Sequence, residues 1–344
     1  MLKYLFHRTV LMIPTLFGIT IICFFIINLA PGSPIEQKLQ AIRFAGAQGG
    51  ESARGGGSKG DQGVSQEVID ALKKQYGFDK PILTRYGIWL GNIARLDFGS
   101  SFTYEEPVLG LIVSKFPVSL QFGLISFVLT YLICIPLGVM QAIRQGTRFD
   151  RSVTATLLVL YSIPSVMLAI LLIVFFAGGS FWRFFPIGEL YSDGYEGLSF
   201  GAKILDRIHH FILPLLCYML GSFTVLTKVM KDSMIEVIRL DYIRTAEAKG
   251  LSEKVVHFKH ALRNALIPIA TGLSGFLGVF FAGSLVIEQI FQLDGIGLLS
   301  FKSLLSRDYN VIMALIFIQS VLLLFGRLIS DLLYVAIDPR IDFR

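Results

Sequence analysis

Long apolar runs alternate with short polar stretches along most of this chain. Each run is close to the roughly 20 residues that a membrane helix needs to cross a bilayer. The pattern therefore predicts an all-α membrane protein with six transmembrane helices. The predicted spans are Thr9–Ala30, Val118–Ile143, Val153–Ala177, Ile208–Met230, Ala265–Ile290 and Asn310–Ala336.

Composition supports a membrane protein, and the distribution of basic residues gives its orientation. Charged residues make up only 16% of the chain, and the mean hydropathy is +0.65. Short loops rich in Lys and Arg stay in the cytoplasm. The richer side carries Lys3, Arg8, Arg144, Arg148, Arg151, Lys228, Lys231, Arg239, Arg244, Lys249, Lys254, Lys259, Arg263, Arg340 and Arg344. Both termini are therefore predicted to be cytoplasmic, and the net charge of +6 reflects topology rather than binding to nucleic acid.

The first apolar run has two interpretations, an uncleaved span or a signal peptide. It follows Lys3, His7 and Arg8, as the apolar part of a signal peptide follows basic residues. However, it is longer than a usual signal-peptide core, and it ends in A-P-G-S-P, which has no small-x-small cleavage site. These features favour an uncleaved span.

The spacing of the spans divides the chain into three regions. Residues 1–30 form the N-terminal transmembrane helix, and residues 31–117 form an insertion on the outer side of the membrane. Residues 118–344 form a core of five spans. Within the insertion, residues 45–66 are rich in Gly, Ser and Gln and lack aromatic residues, so this stretch cannot bury enough apolar surface to fold alone.

Amphipathic spacing predicts that the rest of the insertion forms a small helical cap. One short helix is expected over Glu67–Tyr76 and another over Tyr86–Phe98.

Each of the first five spans contains a proline. A proline can bend its helix by removing a hydrogen bond, although prolines are common in membrane helices generally. The prolines in these spans are Pro14, Pro136, Pro164, Pro214 and Pro268.

The most informative polar stretch lies between the fourth and fifth spans, from Asp241 to Pro268, and is called the elbow below. Gly250 is a typical left-handed helix stop, and Ser252 is a suitable N-cap for the next helix. The pattern predicts two short helices joined at a glycine. The apolar stripe of the first is Ile235, Ile238, Tyr242 and Ala246, and that of the second is Val255, Phe258, Leu262 and Ala265.

Three other interpretations of the elbow are open from the pattern alone. Its basic residues also act as topology signals. A helix–glycine–helix can resemble a DNA-binding helix-turn-helix, but this one is tethered to the bilayer at both ends. The segment could instead be an amphipathic helix lying on anionic lipid.

The elbow resembles the coupling motif of ABC importer permeases, E-A-A-x3-G-x9-I-x-L-P. When this sequence is aligned with the motif at Gly250, only Ala246, Gly250 and Leu262 are identical to it. The departures follow the variant of the dipeptide/oligopeptide/nickel family, Y-x-x-T-A-x-A-K-G followed by H-A-L-R-N-A-L-x-P. Motifs near both ends extend the likeness over most of the chain, which is most similar to the microcin C/oligopeptide-type inner-membrane permeases.

The resemblance implies a type I ABC importer permease fold in a bacterial inner membrane, with residues 31–117 as a periplasmic insertion. It also implies a second permease subunit forming a heterodimer, two ATPase subunits, a periplasmic substrate-binding protein and surrounding membrane lipid. ATP and Mg would be bound by the ATPases, and this chain would bind no cofactor. The coupling segment would be residues 231–264. The residues implied to couple to the ATPases are Asp241, Tyr242, Arg244, Thr245, Ala246, Gly250, His260, Leu262 and Arg263.

The sequence contains no recognisable catalytic or metal-binding motif. In its Gly-rich stretch Gly60 is followed by Asp61, where a phosphate-binding loop has G-K-[ST], and no strand or helix is predicted to frame the stretch. The cysteines have no C-x-x-C spacing, so no zinc site is indicated. The alternative function is a proton-coupled secondary transporter that uses the intramembrane carboxylates Glu288 and Asp331. We expect Glu288 at a solvated outer edge or a gate, and Asp331 paired with Arg327.

Overall fold

The computed structural model describes residues 2–29, 74, 79–179, 181–272 and 283–337, and this part of the chain is predominantly helical. Four of its helices are long and apolar enough to cross a membrane. They are α1 (Leu2–Leu29), α3 (Val108–Ile143), α6 (Phe200–Ile238) and α13 (Tyr309–Ile337), with α2 (Ile82–Ile93) between the first two. The first, second, fourth and sixth predicted spans are therefore confirmed as helices, although α3 and α6 extend beyond the predicted edges.

The third predicted span is bent rather than straight. It consists of α4 (Arg148–Ser162) and α5 (Ser165–Phe176), which meet at 95°. Pro164 disfavours helical geometry at Ile163, whose backbone is extended at φ −84° and ψ 119°. Of the prolines predicted to bend helices, Pro14, Pro136 and Pro214 lie inside continuous helices.

The remaining helices are short and occur mainly around the elbow and before α13. They are α7 (Asp241–Ala248), α8 (Glu253–Val255), a π-helix (Val256–Ala261), α9 (Leu262–Ala265), α10 (Ile267–Gly272), α11 (Leu285–Ile290) and α12 (Ile296–Leu305). The middle of the fifth predicted span falls at residues 273–282, outside the described residues, as does most of the predicted helix Glu67–Tyr76. A 3₁₀ turn covers Tyr195–Gly197.

The chain forms two compact units. The smaller unit comprises Ile13–Ser114 and Ser300–Ile318. In this unit α2 begins four residues before Tyr86, the predicted start of this helix. It ends at Ile93, before the predicted end at Phe98, because the following turn places Leu96 at a positive φ of 58°. Tyr86 and Trp89 of α2 pack on Phe24 of α1, with ring centroids 5.3 and 5.9 Å from it.

The larger unit comprises Met1–Met12, Lys115–Leu299 and Gln319–Arg344, and it contains the elbow. Helices α3 and α6 approach each other closely at Gly138 in this unit. A Cβ added at Gly138 would lie only 2.7 Å from both the Met230 Cβ and the Thr227 carbonyl oxygen, so there is no room for a side chain. An apolar cluster in this unit includes Phe122, Phe211 and Phe291, and the ring centroids of Phe122 and Phe211 lie 4.3 Å apart in a stacked arrangement.

A buried ion pair joins α4 to α6 in this unit. Lys231 Nζ lies 2.5 Å from Asp150 Oδ1, and Asp150 is only 6% exposed. The same carboxylate accepts hydrogen bonds from the Gln141 side chain of α3 and from the Gly146 N–H. Because Gln141 and Lys231 are 9 and 81 residues from Asp150, sequence patterns did not reveal this connection.

Candidate functional site

The elbow consists of two helical arms that meet at Gly250. The first arm is α7, and the second is the continuous run of α8, the π-helix and α9. Gly250 has a φ of +78°, which confirms the expectation of a left-handed stop. Its N–H donates to the Glu247 carbonyl at 2.9 Å, closing the end of α7. Ser252 occupies the predicted N-cap position of the second arm, although its side chain makes no capping hydrogen bond.

An apolar core lies beneath both arms of the elbow. Ile243 and Ala246 project into it from α7, while Val256, Ala261 and Ala265 project from the second arm. Four of these five side chains are fully buried, and Ala246 is 7% exposed. The core is completed by Val139 and Ala142 of α3, by Met230, Met234 and Val237 of α6, and by Ile269 of α10.

The apolar stripes predicted for the two arms are partly wrong. Tyr242 was expected on the inner face but is 39% exposed, because α6 ends at Ile238 and a turn separates it from α7. In the second arm Phe258 is 55% exposed. There the π-helix has a longer repeat than an α-helix, so Val256 and Ala261, five positions apart, share the buried face.

Polar contacts also connect the arms to each other and to α6. Tyr242 Oη accepts a hydrogen bond from Asn264 Nδ2 at 2.7 Å and donates to the His260 carbonyl at 3.4 Å. Ser233 of α6 donates to the Ala265 carbonyl at 2.9 Å, in a buried position. The elbow is therefore attached to the membrane helices by apolar packing and by side-chain hydrogen bonds.

The nine residues that the coupling motif implies fall into two groups. Ala246 is buried in the elbow core, and Leu262 is partly buried against it, so both act in holding the arms together. His260 is also partly buried. The outer surface carries Asp241, Tyr242, Arg244, Thr245, Gly250 and Arg263.

The exposed surface of the elbow is strongly charged. The side chains of Asp241 and Arg244 are 98% and 72% exposed and lie 3.7 Å apart. Such an exposed pair contributes little to stability. Further exposed charges are Glu247, Lys249, Glu253, Lys254 and Lys259. The elbow therefore has an apolar inner face and a charged outer face.

Both carboxylates proposed for proton coupling have partners in the structure. Glu288 is fully buried and accepts hydrogen bonds from Ser119 and Tyr218, so the solvated-edge interpretation is wrong. Asp331 has a partner that the sequence did not suggest, since Arg8 Nη2 lies 3.1 Å from its carboxylate. In the described ranges no cluster of three or more His, Cys, Asp or Glu side chains could hold a metal ion.

Comparison with known proteins places the chain in a family. A family model for "binding-protein-dependent transport system inner membrane component" matches residues 134–343. The peptidoglycan transport system permease protein YejB of Agrobacterium fabrum is 42% identical over 356 residues, covering 99% of this chain and 98% of that protein. The oligopeptide transport system permease protein AppB of Bacillus subtilis is 37% identical and covers all of both chains.

A solved structure shares the fold. The MetNI methionine ABC transporter, in an inward-facing conformation, matches with a TM-score of 0.51 at 16% identity, covering 67% of this chain and 97% of the other. At this identity the likeness shows the fold alone, a type I ABC permease. Permeases of this kind are membrane components that work with ATPases, a substrate-binding protein and a second permease, and they bind no cofactor themselves. The chain therefore belongs to the family of binding-protein-dependent transport system inner membrane components, and it is a multi-pass ABC importer permease rather than an enzyme.

Proposed function

We propose that this chain imports peptides and that separate ATPase subunits drive it by pushing on the elbow. The observation that carries the coupling role is the construction of the elbow, in which a buried apolar core attaches two charged arms to α3 and α6. A force applied to α7 would pass through Ile243 and Ala246 into Met230 and Met234 of α6. Close-packed interiors transmit such displacements because they have low compressibility.

Peptides are the proposed substrate because the relatives that match over the full chain are named for peptidoglycan or oligopeptide transport. A cavity of about 410 Å³ in the larger unit is compatible with this substrate. Its described lining residues include no Asp, Glu, Lys or Arg. Hydroxyl groups of Thr130 and Ser222 lie among small and apolar residues, so the cavity can offer hydrogen bonds without selecting for charge. A periplasmic binding protein would then supply most of the selectivity.

The proposed topology places the elbow and both termini in the cytoplasm. The excess of Lys and Arg on that side supports this orientation. Residues 1–30 would be the first span, residues 31–117 a periplasmic insertion, and residues 118–344 the permease core with its coupling segment at 231–264. A second permease chain would complete a heterodimer, and two ATPase subunits would bind ATP and Mg, since this sequence has no phosphate-binding loop.

Substitution of Gly250 by Asp tests the coupling role. Gly194 is a matched control, because its φ of +80° is nearly the same and a Cβ added at either glycine would have no heavy atom within 4 Å. Both variants therefore carry the same backbone strain, about 1–2 kcal/mol. Only the Gly250 variant adds a charged side chain to the surface that the ATPases would contact.

The two variants are compared in the complete complex, reconstituted in vesicles with its binding protein. We expect equal insertion and thermal stability for both. Peptide uptake should fall about tenfold or more in Gly250→Asp only, a loss of about 1.4 kcal/mol in coupling. ATP hydrolysis should continue but no longer respond to peptide. Equal uptake by Gly250→Asp and Gly194→Asp would show that the elbow is not the coupling element.

A further inference from the structure

A fully buried carboxylate organises the segment that precedes α12. Glu288 lies on the short helix α11 and is 0% exposed. Its Oε1 accepts hydrogen bonds from Ser119 Oγ of α3 at 2.8 Å and from Tyr218 Oη of α6 at 2.9 Å. Its Oε2 accepts one from the Leu298 N–H at 2.9 Å. The Ser284 N–H also approaches Oε1, at 3.3 Å.

These partners are all hydrogen-bond donors, and two of them, Ser119 and Tyr218, come from distant parts of the chain. No cation is paired with Glu288 among the described residues. A buried carboxylate is costly unless hydrogen bonds replace its hydration, and hydrogen bonds to an ionised acceptor are among the strongest in proteins. The set of Glu288, Ser119, Tyr218 and the N–H groups of Ser284 and Leu298 is called the Glu288 clamp below.

Glycines flank the Glu288 clamp where no side chain would fit. A Cβ at Gly295 would lie 2.5 Å from both Glu288 Oε2 and Ser119 Oγ, and a Cβ at Gly283 would overlap Oε1. Ser119 Oγ also accepts a hydrogen bond from the Ile296 N–H at 2.7 Å. The backbone from residue 283 to residue 298 is therefore held against α3 at several points, with the carboxylate at the centre.

The Glu288 clamp also fixes part of the cavity wall. Tyr218 lines the cavity, and its hydroxyl donates to Glu288 while accepting from the Ser284 N–H at 2.9 Å. On its other side the ring stacks near Phe122, with centroids 5.8 Å apart and planes 14° from parallel. Both the hydroxyl and the ring of Tyr218 are thus immobilised.

We propose that Glu288 is a positioning residue for transport, which holds Tyr218 and the 283–298 segment across the outer end of the cavity and keeps that end closed in the resting state. The proposal rests on the proposed function for its orientation, in which α11 lies toward the periplasm. In the transport cycle this end must open to receive substrate, so the Glu288 clamp would set the resistance to that opening.

Accessibility of the cavity tests the proposal without ATP or peptide. A cysteine is placed at Ser222, which lines the cavity, in a background with Cys23, Cys134 and Cys217 replaced. The resting complex in vesicles with its periplasmic side outward is then treated with a membrane-impermeant maleimide. The labelling rate at position 222 reports whether the outer end is open.

Glu288→Gln is the main variant, because it keeps the shape of the side chain but turns one acceptor into a donor that faces other donors. We expect labelling about tenfold faster than in the parent protein, equivalent to about 1.4 kcal/mol of lost closure. Asp294→Asn is the matched control. It removes a carboxylate from the same segment, but one that is 63% exposed and is paired with Lys115 at the surface. It should leave labelling unchanged.

Ser119→Ala keeps the test decisive if Glu288→Gln does not assemble, since it removes one hydroxyl from the Glu288 clamp and should also accelerate labelling. Unchanged labelling in an assembled Glu288→Gln or Ser119→Ala complex would overturn the proposal. Equal acceleration in Asp294→Asn would also overturn it, because the effect would then be general loosening of the segment. Either outcome leaves the coupling role of the elbow standing, since labelling requires no ATPase activity.

Discussion

The elbow and the Glu288 clamp belong to the same compact unit but are stabilised in opposite ways. The elbow is held by apolar packing under Ile243 and Ala246, and its charged groups, such as Asp241 and Arg244, face outward. The Glu288 clamp buries its carboxyl group completely and satisfies it with hydroxyl and backbone donors.

This difference is consistent with the roles that we propose for the two regions. A charged surface over a rigid apolar core can bind and release another protein without disturbing its own packing. A buried carboxylate with several donors has a defined geometry that holds only while all partners stay in place. The elbow is thus suited to receive force from outside the chain, and the Glu288 clamp to hold one internal arrangement until that force acts.

Glycine-to-alanine substitutions at close approaches in the two regions should produce the largest losses of stability. At Gly138 the added Cβ meets the Met230 Cβ and a backbone oxygen at 2.7 Å, beneath the elbow. At Gly295 it meets the Glu288 carboxylate and Ser119 at 2.5 Å. Overpacking of this kind costs about 1–3 kcal/mol, and we expect the upper end at both sites because backbone or hydrogen-bonded atoms obstruct the methyl group.

Thermal unfolding of the purified complex measures these costs. Gly110→Ala is the control, since it lies in α3 like Gly138 but has no heavy atom within 4 Å of the added Cβ. It should leave the melting temperature unchanged or raise it slightly. A Gly138 or Gly295 variant as stable as Gly110→Ala would show that the corresponding close approach is absent in the folded protein.

Removal of one tyrosine hydroxyl from each region should produce smaller losses of stability, and the two losses should be unequal. Tyr218→Phe removes a donor from a buried carboxylate, which should lower the free energy of unfolding by about 1.5–3 kcal/mol. Tyr242→Phe removes contacts to Asn264 and His260 at a position that is 39% exposed. Water can replace those contacts, so we expect a loss of about 0.5 kcal/mol.

Chemical denaturation of both variants gives the two values under one condition. Tyr161→Phe, at a tyrosine 58% exposed on α4, controls for loss of an exposed hydroxyl. If Tyr242→Phe cost as much as Tyr218→Phe, the elbow would depend on its polar contacts, and the contrast between the two regions would be lost.

Sequence patterns predicted the elements whose signals are local. Gly250 marks a left-handed stop by its own chemistry, and its φ of +78° agrees. The apolar runs predicted most spans because lipid requires apolar side chains over a fixed length. The chain bends by 95° at Pro164, whereas Pro136 and Pro214 lie inside continuous helices, and the sequence pattern did not distinguish these prolines from one another.

Features that depend on distant partners were not predictable in this way. The donors to Glu288 at Ser119 and Tyr218 are 169 and 70 residues away, so an isolated Glu near the end of a span resembled a solvated edge. The π-helix shifted the inner face of the second arm, because a regular α-helical repeat placed Phe258 inward whereas it is 55% exposed. The coupling residues themselves came from the family resemblance, and contact with ATPases stays a prediction.

The central claim is that ATPase subunits bind the elbow, and site-directed cross-linking tests it most directly. A cysteine replaces Arg244, whose side chain is 72% exposed on α7, in a background without the natural cysteines. A second protein with the cysteine at the exposed Asp193, in the loop assigned to the periplasm, is the control. In the assembled complex a short bifunctional reagent should join Arg244→Cys to an ATPase subunit, with a yield that changes when ATP binds, and should leave Asp193→Cys unjoined. A transport-active complex that gives no such product from Arg244→Cys or from any other exposed position of α7 would contradict the account.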